Sequence, residues 1–313
     1  MSSDSSGHFT FAGTENSDGD HGYHRNFFIY AGTENLDRNT TNFEDGYHSN
    51  IIHVTAGLDF EIAPRWIAGL ALETSRQNLD FDRGRGADSN SQGIVGFVSF
   101  LPTDNTFAQF YAGYARDSYK RDRIGLFSDL NPDGSLLDPP TASGVQHADY
   151  NADQYRAGLL VGYDIVFSNL TVSPFAGLDW KRTKVGTYSE TGDSGLELTF
   201  YGNNLSSLQS SVGLQGLVAL RSGSWVFVPQ ASISWKHEFE NDQQNLQASF
   251  VGDMRAQRFT YQTSVPDRDW GEINTGIVVV FPNRIQAVGN YRAIAGNSNY
   301  RSQAVTIGIR VPF

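Results

Sequence analysis

The end of the chain reads as a membrane-facing strand. In VTIGIRVPF (residues 305–313), Val305, Ile307, Ile309, Val311 and Phe313 share one face and Thr306, Gly308 and Arg310 the other, because strand side chains alternate with a period of two. The same alternation recurs along most of the chain. No run of about 18 apolar residues exists, and the mean hydropathy of -0.38 is too low for helical membrane spans. A transmembrane barrel is not subject to that test, since each strand of about 10 residues gives only alternate positions to lipid and the rest to a polar interior.

Period-two alternation bounded by turn residues marks twelve strands, near 27–38, 49–63, 66–82, 91–101, 106–121, 152–167, 170–186, 205–220, 224–240, 270–281, 284–294 and 300–313. Their connections alternate. Short turns (residues 64–65, 102–105, 168–169, 221–224 and 282–283) take turns with long polar stretches, notably 124–151, 186–205 and 241–269. Short periplasmic turns with longer extracellular loops are the habit of membrane barrels. A soluble sandwich gives no reason for it, although 313 residues alone suit either one large barrel or two soluble domains. The expected fold is therefore all-β, a transmembrane antiparallel β-barrel of twelve strands, with both ends of the barrel chain on the periplasmic side.

Alternation also assigns faces. In the second strand Ile52, Val54, Ala56, Leu58, Phe60 and Ile62 are expected on lipid, and His53, Thr55, Gly57, Asp59 and Glu61 in the lumen. Further lumen candidates are Asp179, Lys181, Gln230, Lys236, Glu238, Asn290, Arg292 and Arg310. Lys181, Lys236 and Arg310 are expected to pair with Asp59, Asp179 and Glu238. A Lys or Arg placed on lipid at the midplane would cost about 2–4 kcal/mol.

The composition agrees. There are no cysteines, so neither disulfides nor thiolate metal sites hold the fold. The 32 glycines suit strand bends and crowded interior positions, and 14 Tyr with 21 Phe suit interfacial girdles. A net charge of -11 argues against nucleic acid. Residues 1–26 are rich in Gly, Ser and Asp, without an apolar helical stripe or a signal-peptide core, and read as loop or extended chain of a mature or engineered fragment. Within them FTFAGTEN (residues 9–16) echoes FIYAGTEN (28–35), and DHGYHRN (20–26) echoes EDGYHSN (44–50), a partial duplication of the first strand and its loop.

Chemical motifs are weak beside these structural ones. His21 and His24, with His8 nearby, could bind a metal, but their spacing without a nearby Cys or acidic triad is a weak signal. His237 and Glu238 are consecutive on a strand and point to opposite faces, so they cannot share a substrate. Gly158 and Gly162 sit in a strand, where small side chains relieve crowding. No G-x-S-x-G, P-loop or dinucleotide fingerprint stands in its required context. No enzyme activity, cofactor or metal is expected.

From about residue 27 to 313 the chain resembles the β-barrel translocator domain of autotransporters, the type V secretion proteins. The resemblance is carried by FFIYAGTENLDR (27–38), VTAGLDFEIAPRWIAGLALETS (54–75), FYAGYARDSYKRDR (110–123), LTVSPFAGLDWKRTKVGTYSETG (170–192), ISWKHEFEND (233–242), SFVGD (249–253), FTYQTSVPDRDW (259–270) and the terminal strand, in the family's order. Thr306, Gly308, Val311 and Phe313 resemble the C-terminal signal by which outer-membrane barrels are recognised for insertion. Pro312 departs from most such endings and requires its nitrogen to face a gap or a fraying end.

The resemblance implies an outer-membrane translocator and anchor domain (27–313) supporting export of an N-terminal passenger, preceded by a polar leader (1–26) that is flexible or partly in the lumen. The family's helical plug is missing or truncated in this leader. The implied partners are outer-membrane lipid and lipopolysaccharide, the barrel assembly machinery, periplasmic chaperones and a covalently linked passenger. Some family members cleave their passenger inside the barrel with acidic and Asn residues. Here Asp59, Asp164, Asn274 and Asn290 are lumen candidates with no helix to cut. Two readings remain beside translocation: a stand-alone outer-membrane channel or adhesion barrel without a passenger, and a soluble β-rich binding domain.

Overall fold

A computed structural model describes residues 25–313 except 132, 134, 137 and 241. The leader, with its duplicated segment, the expected absence of a plug and His8, His21 and His24, lies outside the described residues up to residue 24. Twelve long strands build the wall: β1 Arg25–Arg38, β2 Tyr47–Ala63, β3 Trp66–Phe81, β4 Gly86–Thr103, β5 Thr106–Phe127, β6 Ala142–Tyr163, β7 Leu170–Val185, β8 Asn203–Val218, β9 Trp225–Glu238, β10 Asp269–Val280, β11 Gln286–Ala295 and β12 Tyr300–Pro312. Each pairs antiparallel with the next, and β12 pairs with β1 from Asn26↔Pro312 to Arg38↔Tyr300. The wall is a closed twelve-stranded barrel. No helix among the described residues is long and apolar enough to cross a membrane.

Arg25 and Phe313 meet at one rim, where the Phe313 N–H donates to the Arg25 carbonyl at 3.0 Å. The short turns lie at that rim. Arg65, Ser168 and Arg284 adopt positive φ there (71°, 57° and 64°), as does Gly223 (61°), the left-handed step a tight reversal needs. Pro312 stands opposite Asn26, and its neighbour Phe313 makes the bond to β1. Alternation therefore turns the Pro312 nitrogen toward the β11 side, where β11 has not yet begun.

The opposite rim differs from the expectation for its loops. Residues 124–151 read as polar loop, yet β5 runs to Phe127 and β6 starts at Ala142, paired throughout from Thr106↔Tyr163 to Phe127↔Ala142. Polar composition hid the strands because this ribbon stands above the apolar belt, where neither face needs lipid-compatible side chains. The other two long loops contribute a second, four-stranded sheet from Tyr188–Ser189, Leu198–Phe200, Asn245–Phe250 and Phe259–Gln262.

The outward face carries the apolar residues: Ile52, Leu72 and Ile307 are 63%, 65% and 64% exposed, while Asp59 and Glu34 on the inward face are 1% exposed. On β2 the apolar stretch from Ile52 to Ile62 measures roughly 33 Å along the strand, or about 25 Å of height at a tilt near 40°, the thickness of an outer-membrane apolar band.

Inside, large rings lie over glycines directly across the ladder. Phe28 faces Gly57, Tyr30 faces Gly308, Phe97 faces Gly69, Tyr111 faces Gly158, Phe107 faces Gly162 and Phe175 faces Gly213. A Cβ at any of the six would lie within 2.0–2.6 Å of a ring atom of its partner. Phe28, Tyr30, Ala71 and Val95, with Phe97, Tyr111 and Val288 against them, form an apolar layer across the interior. These glycines let aromatic rings lie flat along the inner wall and fill a narrow barrel. Gly69→Ala places its methyl 2.1 Å from Phe97 Cζ, so it is expected to destabilise the barrel by about 1–3 kcal/mol. Urea unfolding followed by the heat-modifiable gel shift checks this, and unchanged stability would mean the ring–glycine fit is dispensable.

Candidate functional site: the lumen and its mouth

Because charged side chains are excluded from the lipid face, they accumulate inside, where each needs a partner. At the short-turn end Arg310 of β12 reaches past β1 to Asp59 of β2 at 2.5 Å, and Asn26 donates to the same Asp59 oxygen at 2.8 Å. Further along, Glu34 of β1 meets Arg292 of β11 at 3.0 Å and accepts a hydrogen bond from Ser302. Arg292 also lies 3.8 Å from Glu272, which Lys236 approaches at 3.2 Å. On the other wall Arg156 of β6 pairs with Glu73 of β3, spanning two strands, and Tyr111 donates to Asp179 at 2.7 Å.

Several sequence pairings are thereby redrawn. Lys236 takes Glu272, not Glu238. Glu238 instead accepts from Ser207 Oγ (2.5 Å), the Leu208 N–H (2.9 Å), Gln209 (3.2 Å) and the Glu240 N–H (2.9 Å), tying β9 to β8. Asp179 is held by a phenol, and Lys181 stands inward opposite Arg156 and Ser207. Gln230 accepts from Gln215 at 3.4 Å. Asn290 sits beside Gly276, with its Oδ1 2.9 Å from where a Cβ there would be. Glu61 shares the inward face of β2 with Asp59, His53 and Thr55. Glu34, Glu73, Arg156 and Glu272 lie on inward faces by the same alternation; Glu34 and Glu73 find their cations on strands that are not their neighbours, whereas Glu272 meets Lys236 and Arg292 of the two strands beside it.

The cleavage candidates are not assembled as a group. Asp59 holds Arg310, Asp164 accepts from Ser173 (2.5 Å) beyond β6, and Asn274 donates to Glu272 (3.1 Å). His237 points outward to Asp269 (2.8 Å) while Glu238 is buried, so the two do not act on one substrate. No cluster of three metal-ligating side chains occurs among the described residues.

Between the ion pairs lies a polar cavity of about 60 Å³ lined by His53, Glu73, Gln77, Asp117, Gln154 and Arg156, among others. At roughly 15 Å³ each, that is room for about four waters. His53 Nδ1 and Arg156 Nε find no protein partner, as suits groups that water can serve.

The mouth at the opposite rim is covered. Tyr119 and Tyr150 of the wall stack at 5.0 Å, Tyr150 on Tyr188 of the loop sheet at 4.0 Å, and Tyr188 on Phe200 at 5.0 Å, with Tyr261 beyond at 6.4 Å. The Arg121 guanidinium lies over both Phe81 (5.8 Å) and Phe200 (6.0 Å), a cation–π arrangement. Burial pushes the Tyr261 hydroxyl up to about 12, so it stays neutral in the stack. The cover is fastened on both walls. Arg123 grips Glu190 through two nitrogens (2.9 and 2.6 Å). Across the mouth, the β9–β10 loop reaches the β1–β2 loop: Thr41 bonds to Ser264, whose N–H donates to Glu44 at 2.7 Å, and Glu44 is also held by Arg38.

A sealed ladder, an apolar outer belt and a charged, paired interior define an outer-membrane β-barrel. The chain belongs to the autotransporter family: the model of the autotransporter beta-domain matches residues 27–292. Among characterised relatives, it is 24% identical over 291 residues to Esterase EstA of Pseudomonas aeruginosa, covering 91% of this chain and 42% of that protein. It is also 24% identical over 287 residues to Outer membrane protein A of Rickettsia conorii, covering 89% of this chain and 14% of that protein. The chain therefore spans less than half the length of these relatives. Among solved structures, the translocator domain of the autotransporter NalP from Neisseria meningitidis matches at a TM-score of 0.70 with 14% identity, covering 94% and 90% of the two chains. The beta domain of the Bordetella autotransporter BrkA matches at 0.63, also with 14% identity, over 93% and 100%. The protein is an outer-membrane translocator and anchor domain of bacteria, and the β-domain family is itself non-enzymatic.

Two outcomes follow from this geometry. The side chains of Asp59 and Arg310 are 1% and 10% exposed. Asp59→Ala strands a buried guanidinium and is expected to cost about 3–5 kcal/mol, whereas the Asp59→Ala/Arg310→Ala double variant costs less than the sum of the singles. Urea denaturation of all four proteins measures the coupling, and additive losses would show the pair to be uncoupled. At the mouth, burial raises the Glu44 carboxyl, but hydrogen bonds from Arg38 and from the Ser264 N–H and hydroxyl outweigh it and hold the group below its usual 4.5. A depressed carboxylate stabilises the folded form above its unfolded value and loses that contribution as pH falls through the lower folded one. The cover should therefore be fully fastened above pH 4.5 and loosen below it, read as faster amide exchange at residues 259–264, while Glu44→Gln exchanges fast at neutral pH.

Proposed function

We propose that this barrel exports a polypeptide joined to its N-terminal side. The observation that carries the reading is the position of Arg25: it shares the short-turn, periplasmic rim with the C-terminus, so whatever precedes it must pass the lumen to reach the outside. A polar, ion-paired interior suits transit of hydrated chain, and the fastened mouth suits a barrel that reseals after transit. The inward residues His53, Asp59, Glu61, Asp179, Lys181, Gln230, Lys236, Glu238, Asn290, Arg292 and Arg310 act collectively, keeping the interior polar without net unpaired charge.

In this reading Thr306, Gly308, Val311 and Phe313 of the last strand present the insertion signal to the barrel assembly machinery, delivered by periplasmic chaperones. Any hydrolytic activity, such as that in the name Esterase EstA, belongs to a passenger and not to the barrel.

The test is the size of the native product. An antibody against the barrel, used on whole cells and on shed surface material, should detect a precursor much larger than 34.5 kDa or a barrel band with a separate shed partner. A single product whose N-terminus, after signal removal, lies near residue 1 would overturn passenger export and leave a channel or adhesion barrel.

A further inference from the structure

The outer wall is not uniform at the height where the apolar belt gives way to polar side chains. On β5–β7 the row Tyr114↔Tyr155↔Arg182 lies directly beneath the row Arg116↔Asp153↔Lys184. All point outward, with Trp180 exposed one row below. Lys184 lies over the Tyr155 ring at 5.1 Å, and Tyr114, tilted against Tyr155 at 5.4 Å, donates to Asp153 at 2.7 Å. Arg116, Arg182 and Lys184 are in no ion pair with a described carboxylate. Three cations facing one carboxylate leave a local excess of two positive charges on a chain whose net charge is -11. Lys120, two rows above, is by contrast flanked in register by Asp88 and Asp149 and is balanced within the protein.

We propose that Arg116, Arg182 and Lys184, set above Tyr114, Tyr155 and Trp180, bind the phosphorylated headgroup of an outer-leaflet lipid. At this height the barrel is surrounded by headgroups, so the ligand in reach is a membrane phosphate. Arg116 and Lys184 stand two strand spacings apart, roughly 10 Å, wide enough to hold separate oxygens of a large anionic headgroup. The guanidinium forks suit phosphate oxygens, and the ammonium adds a compact charge. The aromatic row supports the apolar part of the lipid just below. The inference rests on the membrane placement of the barrel and is independent of whether a passenger exists.

The test uses the full chain in detergent micelles, titrated separately with bisphosphorylated lipid A, dephosphorylated lipid A and inorganic phosphate, with the thermal unfolding midpoint as readout. Bisphosphorylated lipid A is expected to raise the midpoint and the other two to leave it unchanged. In Arg116→Gln/Arg182→Gln/Lys184→Gln the apparent affinity should fall about tenfold or more, the equivalent of one lost charge-assisted hydrogen bond. The variant Arg116→Lys/Arg182→Lys/Lys184→Arg, which keeps every charge, should retain binding, as should Arg301→Gln on β12. Heat-modifiable migration before titration establishes that each variant is folded, and if the neutral triple variant does not fold, Lys184→Gln alone should still lower the affinity. An equal response to dephosphorylated lipid A overturns the proposal, and so does an equal response to inorganic phosphate, which would mark a free-anion site. A changed oligomeric state without a lipid effect also overturns it, as the mark of a protein contact.

Discussion

Everything in this protein depends on closing the backbone ladder. In hydrocarbon no water serves an exposed N–H or carbonyl, so a sheet survives only without edges. Here the seam between β12 and β1 is paired along thirteen residues of register, from Asn26↔Pro312 to Arg38↔Tyr300. Closure with an even number of strands then dictates that both chain ends share a rim, that the two faces of every strand meet opposite environments, and that all charge must be settled inside.

The interior answers that demand in three ways along its height. Near the short-turn rim, rings lying over glycines fill space that ordinary side chains would crowd. Around and above them, Asp59 with Arg310, Glu34 with Arg292 and Glu73 with Arg156 are matched across non-neighbouring strands, so that each of these pairs ties together parts of the wall that the ladder does not join directly. At the far rim a stack of tyrosines and phenylalanines with Arg121 roofs the mouth, fastened by polar contacts between loops from different sides of the barrel. The contacts differ in kind because water access differs: buried ion pairs where little water enters, cation–π and exposed loop bonds where the rim opens to solvent.

Export places two requirements on such a lumen that pull against each other. The resting barrel has to keep the outer membrane sealed, which favours a filled and covered interior, while transit needs that interior to yield. A cover held by hydrogen bonds and ring stacking, on loops outside the paired wall, is the part that can open without breaking the ladder. The outer wall has its own division of labour, with an apolar belt of nearly constant character and a cationic step confined to β5–β7.

The strand number, the short-turn rim and the faces of β2, β9 and β12 were legible from alternation, because a period of two leaves a direct imprint wherever one face meets lipid. The strand ends at 122–127 and 142–151 were not, since above the membrane both faces meet water and the imprint fades. Partners were the other illegible layer: Arg292 with Glu34 and Thr41 with Ser264 are set by which strands closure brings near, and Arg156 meets Glu73 across two intervening strands. By itself, then, the sequence determined a twelve-stranded barrel, a one-dimensional pattern imposed by two solvents. Which charge meets which, and that loops from opposite walls roof the mouth, was decided by tertiary structure alone, because contacts across a closed cylinder depend on curvature and stagger that no local pattern records.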